Sequence, residues 1–171
     1  MLAFHMGLGG TVEDQGDSTD LATTYGVNLR VDIPVVDYVL LGPLLQFATW
    51  LANPPGPDPT RDYVVDIDFY PRARLPIELD ANALQLWAGI PVGLTMSFLG
   101  EDHALNHDGF SLGWNLGVLV GGAAHFTREF GIFTEFGWLQ HQMKHDAEPG
   151  AADLQLRLSQ LNLNLGFVLG E

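Results

Sequence analysis

Charged side chains recur in this sequence inside otherwise apolar stretches: Arg30 and Asp32 in LRVDI, Asp66 and Asp68 in VDIDF, Arg72 and Arg74 in PRARL, Glu135 in TEF and Arg157 in LRL. A β-strand sends alternate side chains to opposite faces, so each charge would share a face with its kind and oppose an apolar one. Buried charges are tolerable only when paired and hydrogen-bonded. The spacing therefore predicts an interior polar network of Arg30, Asp32, Asp66, Asp68, Arg72, Arg74, Glu135 and Arg157. Such a set could fill an interior as a packed plug or line a narrow pore.

Two further groupings could do chemistry. Glu101, Asp102, His103, Asn106, His107 and Asp108 share one loop, and His141, His145 and Asp146 stand at a neighbouring one. Imidazole and carboxylate can ligate zinc or copper, but the spacing matches no compact metal motif, and no metal or other cofactor is expected. His125, Thr127 and Glu135 supply the residue types of a His/hydroxyl/carboxylate set. Such a set is defined by geometry and not by chain order. Neither a Gly-rich phosphate loop nor a nucleophile elbow occurs, so the chain is expected not to be an enzyme.

The elements that must position these residues follow from a period of two. In 21–33, Leu21, Thr23, Tyr25, Val27, Leu29, Val31 and Ile33 take one face; 63–75 repeats the plan from Tyr63 to Leu75. Continued along the chain, the alternation predicts eight strands, at 2–11, 21–33, 38–51, 63–75, 83–98, 110–123, 130–142 and 154–169. A phase slip at Ser159 and Gln160 reads as a β-bulge. Between the strands, long acidic or proline-rich connections (13–20, 53–59, 100–108, 144–153) alternate with short ones at 34–37, 76–82 and 127–129. Unequal rims of this kind are the layout of outer-membrane barrels.

Composition narrows the class. Charged residues make up 16 % of the chain, against about 25 % in an average soluble domain. With 7 basic and 21 acidic residues the formal charge is −14, which repels phosphate backbones and excludes nucleic acid as a partner. There are no cysteines, so disulfides and thiolate chemistry are absent. The longest apolar run, 39–52, is interrupted by Gly42 and Pro43 and falls short of a spanning helix. The first residues lack a basic segment followed by an apolar one, so this sequence is read without a leader peptide.

Which face points inward decides between a soluble and a membrane protein. Gly7, Gly9, Gly26, Gly89, Gly93, Gly113, Gly117, Gly121, Gly131 and Gly137 accompany the polar face, and the single lysine, Lys144, is placed in a loop. Glycine suits a crowded interior and is costly on an open strand surface. Aromatics stand toward strand ends, at Phe4, Tyr38, Trp50, Tyr63, Phe98, Phe110, Phe130 and Trp138, where a lipid–water interface would place them. The apolar face is therefore expected to meet lipid.

On these features the chain resembles the small eight-stranded outer-membrane β-barrels of Gram-negative bacteria, the OmpA/OmpW-like group. Its last strand, with Leu161, Leu163, Leu165, Phe167 and Leu169 alternating with Asn162, Asn164 and Gly166, is similar to the terminal strand of such barrels. The resemblance implies an all-β, eight-stranded, antiparallel up-and-down transmembrane β-barrel. It covers 1–171 as a single domain, located in the outer membrane and monomeric. It implies outer-membrane lipid as surroundings and a structural or cell-surface interaction role. Porin-like passive passage of small hydrophobic molecules is a further implied role. Lipid-A-deacylating barrels carry a triad on their wall that His125, Thr127 and Glu135 resemble, with threonine in place of serine. The alternative class is a soluble, lipocalin-like carrier whose apolar face lines a ligand cavity, although the Gly-x-Trp usual in its first strand is absent.

Overall fold

A computed structural model describes residues 1–14, 17–50, 52–53, 62–78, 83–99, 109–145 and 154–169. They form eight antiparallel strands closed into a barrel. Strand β1 is Leu2–Asp14; β2 runs through Asp17–Leu21, Thr24–Arg30 and Ile33–Val36; β3 through Val39–Leu41, Pro43–Trp50 and Ala52–Asn53. Strand β4 comprises Asp62–Phe69 and Arg72–Glu78, and β5 Ala83–Gly89 and Val92–Leu99. Strands β6 (Gly109–His125), β7 (Phe130–His145) and β8 (Leu154–Leu169) are uninterrupted. Each strand pairs with its neighbours in the chain, and β8 closes on β1 from Leu2 opposite Phe167 to Asp14 opposite Leu156.

The breaks at 42 in β3, at 70–71 in β4 and at 90–91 in β5 have one cause. Pro43, Pro71 and Pro91 carry no N–H to donate to a ladder. Their carbonyls still accept, from Val31, Ile90 and Gly117 respectively, at 3.2, 3.1 and 3.0 Å. The register is identical on both sides of each break, Leu40 opposite Arg72 before it and Pro43 opposite Phe69 after it. The wall is therefore continuous.

Alternate residues point outward and form an apolar belt. Leu94 is 55 %, Val118 52 % and Leu165 51 % exposed, whereas Asn115, Thr95 and Asn162 on the opposite face are wholly buried. Closure satisfies the strand backbones within the sheet, the condition for strands in hydrocarbon. Aromatic rings collect at both rims: Phe47 with Tyr63 and Phe98 with Phe110 toward the long connections, Phe126 with Phe130 and Phe130 with Phe167 toward the short ones. The apolar face thus lies outside, and a lipocalin-like carrier with that face around a ligand does not hold.

Several boundaries differ from the sequence reading. Segment 13–20 is no open loop: Thr11 to Asp14 pair with Asp20 to Asp17, extending β1 and β2 as a hairpin. The tight connection at 34–37 is likewise a hairpin, with Val36 opposite Val39 around Asp37 and Tyr38. The bulge sits on β1, where Gly9 and Gly10 together oppose Gln160, and β8 keeps its phase. Gly9 adopts φ 62° and Gly10 φ 142°, backbone conformations open to glycine. Lys144 belongs to β7 and is exposed on its outer face.

Candidate functional site

The barrel interior is built in layers. At its centre is the Glu135 carboxylate, 1 % exposed. Its Oε1 accepts from Arg30 Nη1 (2.8 Å), Tyr70 Oη (2.7 Å) and Trp87 Nε1 (2.7 Å). Its Oε2 accepts from Asn164 Nδ2 at 3.0 Å, and Asn164 Oδ1 in turn accepts from His5 Nδ1 at 2.8 Å. Register accounts for half of this set, because Glu135, Asn164 and His5 are direct cross-strand neighbours on β7, β8 and β1. Trp87 on β5 stands in the same row over Gly121 of β6, and Arg30 and Tyr70 reach in from β2 and β4.

The Arg30 guanidinium is held against rings as well as charge. Its Cζ lies 5.4, 5.2 and 5.1 Å from the centroids of Tyr70, Trp87 and Phe133. Arg30 Nε is 3.2 Å from Asp32 Oδ1, an oxygen that also receives Arg72 Nη2. Glycines opposite make the room: a Cβ on Gly89 would collide with Arg72 and Tyr70, and one on Gly121 would meet the Trp87 ring at 2.8 Å.

A second polar layer lies nearer the long connections. Asp66 Oδ1 accepts from Thr95 Oγ1 at 2.6 Å, and its Oδ2 contacts Gln46 Nε2 (3.3 Å) and His141 Nε2 (3.0 Å). Asp68 Oδ1 accepts from Asn115 Nδ2 at 2.7 Å. Leu44, Tyr70 and Leu119 form a small apolar cluster, and beyond the second polar layer Leu21, Val64, Met143, Leu156 and Leu158 close the lumen with an apolar cap. At the opposite end, bounded by the short turns, a cavity of about 650 Å³ opens, lined among others by Arg30, Asp32, Arg74, Gln85, Leu40 and Val168.

The residues expected inside are thus distributed as follows. Arg30, Asp66, Asp68, Arg72 and Glu135 are buried in the lumen, and Asp32 is partly buried among them. Arg74 stands at the cavity mouth, its Nε donating to Asp37 O at 2.7 Å. Arg157 is not inside: it projects from the outer wall, 56 % exposed, 3.9 Å from Glu13. There β8 has passed the apolar belt, so Leu156 and Leu158 fill the lumen and the polar residue faces outward.

His141 is no rim residue; it is buried inside, because β7 continues to His145. Residues 101–108 and 146 lie outside the described residues, as does the His145 side chain. Among the described residues no group of three ligating side chains is placed to hold a metal. His125, Thr127 and Glu135 share no hydrogen bond: Thr127 Oγ1 accepts from Glu129 N in the turn at 3.2 Å, and His125 lines the cavity. Tyr70, Trp87, His5 and Thr95 were missed as network members, although all four fall in the inward phase of their strands.

No protein-family model matches the chain, and no curated protein matches it in sequence. Among solved structures, the chain is similar to Neisserial surface protein A (NspA), with 10 % identity over 96 % of each chain and a TM-score of 0.45. It is also similar to the outer membrane enzyme PagL, with 12 % identity over 95 % of this chain and 98 % of that one, TM-score 0.41. By its closed sheet and apolar exterior the chain resembles the eight-stranded barrels of Gram-negative outer membranes.

Proposed function

We propose that this protein is a monomeric outer-membrane barrel with a structural or cell-surface interaction role, acting without catalysis or cofactor. The observation that carries the reading is the filled lumen: two buried polar layers, each hydrogen-bonded within itself, under the cap of Leu21, Val64, Met143, Leu156 and Leu158. An eight-stranded barrel leaves about enough interior for its own side chains. Passage of small apolar solutes would require the Arg30–Glu135 layer to part, so the sealed barrel is favoured. Planar-bilayer recordings test this. The purified protein is expected to give no unitary current above background, and reproducible current steps would overturn the reading.

A further inference from the structure

The cavity at the short-turn end is left unused by a structural role. Its volume, about 650 Å³, lies within the roughly 300–1,000 Å³ of ligand pockets. It is blind, since the Arg30–Glu135 layer forms its floor and the apolar cap closes the far end of the lumen. Its wall is divided. Leu40, Pro34 and Val168 supply apolar surface, and Arg30, Asp32, Arg74, Gln85 and His125 supply polar groups.

Charge and unmet hydrogen bonding select the ligand. Arg30 and Arg74, two of the seven basic residues in a chain of net charge −14, line this cavity at its floor and its mouth, and Arg72 stands behind Asp32. Among the described lining residues Asp32 is the one carboxylate, set against the guanidiniums of Arg30 and Arg74. Gln85 Nε2 is buried without a hydrogen-bond partner, as are Nε and Nη1 of Arg72 behind Asp32. Unmet buried donors are costly, and an acceptor that reached them would be held by charge-assisted bonds.

We propose that this vestibule is a binding site for a small anionic amphiphile: a carboxylate head taken by Arg74 and Gln85, with a short alkyl tail along Leu40 and Val168. The site opens toward the short turns, the side that faces the periplasm in barrels of this layout. Of the sealed-lumen reading it uses only the Arg30–Glu135 floor, and a bilayer current and a failed octanoate titration are separate outcomes.

The test is titration of the folded protein in an uncharged detergent with carboxyl-labelled octanoate, read by NMR against empty micelles. Saturable binding is expected, weakened about tenfold or more by Arg74→Gln and retained by Arg74→Lys. Acetate and octanol should each bind far less well than octanoate. Val168→Trp, which fills the cavity without touching a charge, should abolish binding in protein that still shows the mobility of a folded barrel. Octanoate behaving as in empty micelles would overturn the proposal. So would octanol binding equally, since that removes the anion, or acetate binding equally, since that removes the apolar wall.

Discussion

The Glu135→Gln substitution tests the interior most sharply. The wild-type carboxylate receives four donors, three of them on one oxygen, at 2.7 to 3.0 Å, and is 1 % exposed. An amide of the same shape removes the charge and turns one acceptor into a donor facing donors. Arg30 would be left to share Asp32 with Arg72, two guanidiniums on one carboxylate. Removing one member of a buried pair costs about 3–5 kcal/mol, or roughly two to four powers of ten in the folding equilibrium. Urea unfolding in lipid vesicles, followed by tryptophan fluorescence, measures it, and Trp87 reports directly because its indole is bonded to Glu135. The sign has a further check: the double variant Arg30→Met with Glu135→Leu should be less destabilised than either single change, because no charge is stranded. A loss under about 1 kcal/mol, the worth of a solvated pair, would refute the reasoning.

Further outcomes follow from the wall. Val118→Arg places a charge in the apolar belt and should cost about 2–4 kcal/mol in vesicle unfolding, whereas Gln142→Arg on β7, beyond the belt, should cost about 0–1 kcal/mol. Gly137→Ala puts a methyl into the Val118 carbonyl and the Leu119 backbone, which cannot retreat; a loss of about 1–3 kcal/mol is expected by the same assay. At the bulge, Gly9→Val should lower the urea midpoint by the equivalent of about 1–2 kcal/mol, while Gly9→Asn, which tolerates φ 62°, should cost less. His141→Leu strips one partner from Asp66 and should destabilise by about 1–3 kcal/mol, with Gln46 and Thr95 retaining the rest.

The barrel was legible because its alternation is a physical consequence of a wall with lipid on one side. Arg30, Asp66, Asp68, Arg72 and Glu135 stand out as charges that lipid would reject, and register then brings Glu135 beside Asn164. Where the wall leaves the lipid the rule reverses, and this is why Arg157 and Lys144 were misplaced: outward positions there meet water, and Leu156, Leu158 and Met143 turn inward. Hairpin ends carry polar residues in both loops and strands, so 13–20 and 144–145 gave no warning that pairing continues. Tyr70 and Trp87 were hidden for a different reason. An aromatic ring in the inward phase reads as filling, and only the structure shows its polar atom aimed at Glu135.

The claim on which all else rests is that the apolar face meets hydrocarbon. A chain free of cysteine allows single-cysteine spin labels at each position from 110 to 121 of β6 without background. With the barrel in vesicles, accessibility to dissolved oxygen should alternate with period two, high at Leu112, Trp114, Leu116, Val118 and Val120 and low at Ser111, Asn115 and Leu119. Access of a water-soluble relaxation agent to the labels at Leu116 and Val118, with no alternation in oxygen, would contradict a membrane-spanning wall.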